Sequence, residues 1–349
     1  MEAAALPAPL RQPSWIRSVL PWVVALPLLG LGHALFRQMP FWLYLSSIIG
    51  VNVILAVSLN IVNGMTGQFS IGHAGFMAVG AYISGVFSLA VKDLAISGLP
   101  VVASDQLMLL VSLLLGGGVA AVCGFVVGLP SLRLKGDYLA IVTLGFGEII
   151  RVVVQNTDAF GRALGLSGIP QTSSFLMVWL WVFITILVAR RIAASAHGRS
   201  LWAIREDEIA AEAMGVNTTA YKVRAFVISA FFGGIAGALF AHFVPIINPG
   251  SFTFVKSIEI VVMVVLGGLG STTGAVLAAI FLTLLPEGMR TLFGHLGGGQ
   301  MAQKVDQLRM PIYGLLLIGM MLARPQGLFG TTEIWDLLPR WFSRGKAKR

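Results

Sequence analysis

FWLYLSSIIGVNVILAVSLNIV, residues Phe41 to Val62, contains no Asp, Glu, Lys or Arg. At about 1.5 Å of rise per residue, a helix over this run crosses the roughly 30 Å hydrocarbon core of a bilayer with its backbone bonds closed inside it. Outward from it, runs of the same kind recur at Pro21 to Phe36, Phe69 to Val91, Gln106 to Leu129, Tyr138 to Val154, Phe175 to Ala189, Val223 to Val244 and Pro311 to Leu322. Hydrophobic residues make up 56% of the 349 and charged ones 11%, with a mean hydropathy of +0.86. That is far more apolar than a soluble domain. Long alternating strands are absent, so the expected fold is all-α: a polytopic transmembrane helical bundle.

The net charge of +9 does not point to nucleic acid, because Lys and Arg gather at span ends and in the tail "RGKAKR". Basic residues at span ends orient a chain against the cytoplasmic face. Arg11 and Arg17 place the start inside, Arg133 and Lys135 mark an inside loop, and Arg190, Arg191, Arg199 and Arg205 mark another. With the basic tail also inside, the number of crossings is even. The stretch "IEIVVMVVLGGLGSTTGAVLAAIFLTLLP" then turns at Leu266 to Thr272 between two short or broken helices. This gives about ten crossings by the topology rule, and about eight if the pair is a re-entrant hairpin. The start of the chain imitates a signal peptide, but it reads here as an uncleaved first span.

Gly116, Ala120, Gly124 and Gly128 recur every fourth position, as do Gly233 and Gly237. In lipid such stripes let helix backbones approach and gain dispersion contacts, which is a packing role. Cys123 is the single cysteine and has no disulfide partner. His33, His242 and His295 lack metal-ligand spacing, so no metal or cofactor is expected. The only Lys followed by Ser or Thr is Lys256, preceded by Val255 rather than Gly, so no phosphate-binding loop exists. "LGGGQ", Leu296 to Gln300, reads as a polar connection.

Against this apolar background "REDEIAAEAMGVN", Arg205 to Asn217, concentrates charge between spans. On a helix Glu208 and Glu212 share one face and Ala210 and Met214 another, and Gly215 supplies a stop. The segment reads as an amphipathic docking rod beginning near Ser200; a solvated loop helix is the plain alternative.

It resembles the cytoplasmic loop of ATP-binding-cassette importer permeases, written E-A-A, three residues, G. The frame falls on Ile209, Ala210, Ala211 and Gly215, so the acid has moved to Glu208. Four further blocks, "NGMTGQFSIGHAGFMAVGAY" (Asn63 to Tyr82), "LRLKGDYLAIVTLGFGEIIR" (Leu132 to Arg151), "GRSLWAIREDEIAAEAMGV" (Gly198 to Val216) and "YGLLLIGMMLARPQGLFG" (Tyr313 to Gly330), are similar to the LivM-like branch of the branched-chain amino acid permease family. The likeness covers nearly the whole chain apart from its first twenty residues and its tail.

The resemblance implies a multi-pass inner-membrane permease subunit that works with cytoplasmic ATPase subunits, a second homologous permease chain and a periplasmic solute-binding protein, in contact with membrane lipid and a small-molecule substrate. It also implies a coupling loop over about 198–217, with Arg205, Glu208, Ala210, Ala211, Glu212 and Gly215 serving the ATPase. The expected organisation is a cytoplasmic segment over 1–20, a transmembrane permease domain over 21–330 and a cytoplasmic basic tail over 331–349.

For the solute path, intramembrane acids are suspects because they are costly in lipid. Glu148 lies in the fifth span, three residues from Arg151, and Glu259 lies near Lys256, so a local ion pair stands beside a path role for each. Gln68, Ser70 and His73 flank the Gly-rich start of the third span, where exposed backbone suits an amino acid's charged groups, and Asn60 is an interhelical candidate. Branched-chain or related small amino acids are the leading solutes; urea, amides and an ion-coupled secondary transporter are alternatives. An intramembrane enzyme is disfavoured, because no acid/His cluster or Cys–His pair suggests one.

Overall fold

The computed structural model describes residues 39–92, 101–131, 137–297, 305–324, 326–328, 330 and 333. The expected first span Pro21 to Phe36, the segment 1–20, the Arg133 to Lys135 loop, the last three residues of "LGGGQ" and the tail apart from Glu333 lie outside the described residues.

Eleven α-helices are described: α1 Pro40–Asn63, α2 His73–Val91, α3 Val101–Ser131, α4 Asp137–Asn156, α5 Phe175–Ala194, α6 Ala196–Glu206, α7 Glu208–Ala213, α8 Thr218–Ala241, α9 Phe254–Gly267, α10 Thr272–Gly297 and α11 Val305–Ala323. Seven of them, α1 to α5, α8 and α10, are long and apolar enough to cross a membrane. The only sheet among the described residues is a two-residue antiparallel pair, β1 Leu166–Ser167 and β2 Ile246–Ile247, with Leu166 opposite Ile247. The chain is an all-α polytopic membrane bundle.

The core helix is α1, buried from Leu45 almost without interruption to Asn63 and packed against α5, α8, α9 and α10. Beside it α2, α3 and α8 form the tightest group. A Cβ on Gly80 of α2 would collide with the Gly234 carbonyl of α8, and one on Gly116 of α3 would stand 2.7 Å from the Gly80 carbonyl. Gly237 lies against the Met77 carbonyl. The stripes are therefore helix-contact surfaces, as their spacing predicts. On the opposite sides of α3 and α4, apolar side chains such as Val122, Val126, Ile141 and Val153 are exposed, as lipid-facing surfaces require.

Helix ends differ from the expected spans for physical reasons. The third span starts at His73 rather than Phe69, because Asn63 holds the preceding loop by accepting from the Ser70 N–H (3.1 Å) and donating to its carbonyl (3.3 Å). The seventh starts at Thr218, ahead of Val223: Asn217 caps it, accepting from the Ala220 N–H at 3.0 Å, and buried Lys222 is neutralised by Glu208 at 2.6 Å. The sixth runs on to Ala194, past Arg190 and Arg191 at its basic end.

The Gly-rich turn separates two unequal helices. The 14 residues of α9 rise about 21 Å, short of a full crossing. The helix meets α1 through its first turn, where Lys256 donates to Asn52 at 3.0 Å. Its end lies at the level of Asn60, which accepts from the Gly270 N–H at 2.9 Å. From α8 the chain descends through β2 and the turn Pro249–Phe252 before α9 begins, so α9 is a half-helix.

Candidate functional site

The charged segment is not one rod. Asp207 takes an extended conformation (φ −155°, ψ 110°) and breaks it into α6 and α7, capping α7 by accepting from the Ile209 N–H at 2.9 Å and the Ala210 N–H at 3.1 Å. Gly215, at φ +84°, ends α7 in a left-handed conformation that disfavours other residues, and the Val216 N–H returns to the Ala211 carbonyl at 3.1 Å. Glu208 and Glu212 do share a face, and that face turns toward the bundle: Glu208 pairs with Lys222, and Glu212 accepts from the Thr218 hydroxyl at 2.6 Å. Ala211 is buried, while Ala210 is exposed. The outer surface is apolar, with Ile209 73% and Met214 84% exposed.

Arg205 also faces the bundle. It donates to the Gly64 carbonyl at 2.7 Å and the Leu269 carbonyl at 3.2 Å, and its guanidinium stands 5.1 Å from the Trp202 ring centroid. One side chain of α6 thus grips both the loop after α1 and the turn between α9 and α10. Gly270, at φ +95°, lies so close under Trp202 that a Cβ there would stand 2.5 Å from the indole. The chain after α11 returns to the same turn: the Leu328 N–H donates to the Leu266 carbonyl at 3.0 Å. Glu333 accepts from the Thr272 N–H at 2.6 Å, the Thr273 N–H at 3.0 Å and the Thr273 hydroxyl. Arg190 and Arg191 on α5 and Arg199 and Arg205 on α6 gather at this end of the bundle.

The expected path residues separate into three places. Asn60, Gln68 and Ser70 belong to this knot, where Asn60 Nδ2 and Gln68 Oε1 are buried without a hydrogen-bond partner. His73, one step further in, is buried with Nε2 2.9 Å from the Ser58 hydroxyl and packs against the surface of Gly233. Glu148 lies on α4, where the neighbouring Gly147 abuts Gly72 and Gly75, and forms the expected local pair with Arg151 at 2.6 Å, partly exposed. Glu259 is deeply buried and pairs with Lys256 at 3.2 Å.

Glu259 alone of that set lines a cavity of about 440 Å³, which runs from Tyr44 near the start of α1 to Asn52. Its floor is a polar belt across three helices: Lys256 donates to Asn52 Oδ1 at 3.0 Å and to Glu259, and Asn52 Nδ2 donates to the Thr283 hydroxyl at 2.9 Å. Leu45, Ile48, Val51 and Met77 supply apolar wall. Asn52 and Thr283 escaped sequence reasoning because they lie far apart in the chain; polar side chains inside apolar helices were the available signal. Among the described residues no cluster of three or more His, Cys, Asp or Glu is placed to hold a metal ion.

A bundle of membrane-crossing helices with a half-helix, a polar-floored cavity and a two-helix projection is a polytopic membrane protein, and its class follows from the sequences it matches. The family described as branched-chain amino acid transport system / permease component matches residues 39–323. The permease protein LivM of the high-affinity branched-chain amino acid transport system of Salmonella typhimurium is 35% identical, covering 81% of this chain and 68% of its own length. LivM of Escherichia coli is 34% identical over the same shares. LivH of Escherichia coli, another permease protein of such a system, is 28% identical over 47% of this chain and 49% of its own. No solved structure matches the chain. The chain belongs to the branched-chain amino acid permease family, as a multi-pass inner-membrane transport subunit rather than an enzyme.

Proposed function

We propose that this chain carries branched-chain or related small amino acids inward through an ATP-binding-cassette importer, and that ATP-driven work enters it through α6 and α7. Family membership supports the importer; the finer reading rests on one observation. Ile209 and Met214 project into solvent from a short unit whose remaining contacts, through Arg205, Glu208, Ala211 and Glu212, are with the bundle. Exposed apolar side chains on a charged projection are the anchors a partner's groove receives. That partner is a cytoplasmic ATPase subunit. Its motion, applied to α7, reaches Arg205 and through it the two loops that end α1 and α9, shifting the equilibrium between inward- and outward-facing arrangements.

The complete assembly on this reading has a second, homologous permease chain and a periplasmic solute-binding protein that presents the amino acid at the outer end. Urea and short amides are the competing solutes.

The test replaces Ile209 and Met214 together by Asp. Both side chains are largely exposed, so stability changes by less than about 0.5 kcal/mol. Co-purification with the ATPase subunits is lost, as it is on deletion of Glu208 to Gly215. Retained association in both variants would remove α7 as the docking element.

A further inference from the structure

We infer that the cavity between α1, α9 and α10 is a recognition site for the zwitterionic end of an α-amino acid, with Lys256 holding the carboxylate and Glu259 the ammonium. This rests on the importer reading above and adds the residues that read the solute. A buried acid or base inside a membrane bundle is costly, and a pair that lines open space rather than packed side chains keeps both charges within reach of a ligand.

The pair also sets which charge the cavity accepts. A lone Lys favours anions and a lone Glu favours cations. Together, 3.2 Å apart, they make a net-neutral floor, and the Glu287–Arg290 pair that also lines the cavity, at 2.9 Å, leaves its total charge at zero; on that floor a net-neutral zwitterion completes an alternating square of charges. Lys256 lies in the first turn of α9, whose capping Thr253 makes no side-chain cap bond, so the helix dipole adds to the attraction for a carboxylate on the Lys side. Asn52 of α1 accepts from the Lys ammonium and is itself held by donating to the Thr283 hydroxyl of α10, so the belt spans three helices. Above them Leu45, Ile48, Val51 and Met77 offer an apolar wall to the solute's side chain, and the volume of about 440 Å³ is in the range of small-molecule sites. Urea and amides lack the paired charges and gain nothing from this floor.

Two measurements on the full transporter reconstituted in lipid vesicles test this. The double variant Lys256→Gln/Glu259→Gln removes both charges at once, so neither is left buried and alone, and a merely structural pair tolerates the change. Leucine uptake is expected to fall at least tenfold, with a raised KM; uptake within twofold of the unchanged protein would overturn the site. Where the variant fails to assemble with its ATPase, a second measurement decides. Ser251, exposed at the cavity lining, is replaced by Cys in a chain carrying Cys123→Ser, and the rate of labelling by a charged thiol reagent is followed. Leucine is expected to slow labelling at least threefold, while 4-methylpentanoate, which has only the carboxylate, and isopentylamine, which has only the ammonium, leave it unchanged. Equal protection by either single-charge compound, or none by leucine, would overturn the inference. A wild-type complex that takes up urea and no leucine would instead overturn the importer reading on which it rests.

Discussion

The two halves of this bundle are held by different forces. In α2, α3 and α8, glycine faces carbonyl across helix after helix, and backbones approach as closely as atoms allow. Around α9 and α10 glycine also meets carbonyl, Gly267 against Gly274, but the loops at this end are tied by side chains bonded to backbone: Arg205 to Gly64 and Leu269, Asn60 to Gly270, Glu333 to Thr272 and Thr273. Close packing in lipid has one good arrangement and loses heavily in any other. Hydrogen bonds to loop carbonyls can be exchanged for others with little net change. On this difference the glycine-packed group α2, α3 and α8 is expected to act as the frame, and the side-chain-tied loops around α9 and α10 as the part that shifts. Asn60 Nδ2 and Gln68 Oε1, buried without partners at the bonded end, fit that division, since such groups cost about 1–3 kcal/mol and are expected where an arrangement is not the only one.

The largest effect expected from breaking the comparison is in the frame. Gly237→Leu drives a side chain into the Met77 carbonyl, and neither backbone can retreat without parting α2 from α8. The cost is about 3 kcal/mol, read as a lower midpoint of thermal unfolding in detergent. A midpoint within a degree of the unchanged protein would show that this half is looser than the contacts imply.

A smaller effect, of a different kind, follows from Arg205→Lys. The ammonium keeps the charge but not the reach and planar geometry of the single Nη1 that donates to both carbonyls, and it loses the stacking against Trp202. Stability falls by about 2 kcal/mol. Because Ile209 and Met214 are untouched, ATPase subunits still co-purify, and leucine moved per ATP hydrolysed declines. Unchanged coupling would mean that work passes α6 by another route.

How much of this was legible in the sequence depends on the range of the interaction. Spans were readable because lipid excludes charge, and the Glu148–Arg151 pair because three residues is a local helical spacing. Gly215 was readable as a stop for the same local reason. The break at Asp207 had a signal that went unused: an Asp followed at once by Glu is a helix start as well as part of a charged helix. The inward aim of Arg205 and of Glu208 had no local signal, since their partners are Gly64, Leu269 and Lys222. The cavity floor was out of reach for the same reason, with Asn52 and Thr283 separated by 231 positions. Local periodicity shows which face of a helix is polar and says nothing of what that face meets.

The smallest predicted change probes the bonded half at its least conspicuous joint. Glu333 arrives from beyond α11 and offers two oxygens to the first turn of α10, one to the Thr272 N–H and the other to Thr273. Those N–H groups have no partner within their own helix, and a full negative charge there also opposes the positive end of the helix dipole. Glu333→Gln keeps the length and one acceptor oxygen, but places an NH2 against a donor and removes the charge. A loss of about 1 kcal/mol is expected, too small to alter assembly. It raises amide hydrogen exchange in the peptide covering Gly268 to Ala275 roughly fivefold, because that loss makes opening of the first turn more frequent by the same Boltzmann factor. Exchange in α2 and α8 is expected to stay at its original rate, since their contacts do not involve this turn. If exchange rises equally in both halves, frame and moving part are one cooperative unit and the division drawn from their bonding does not hold.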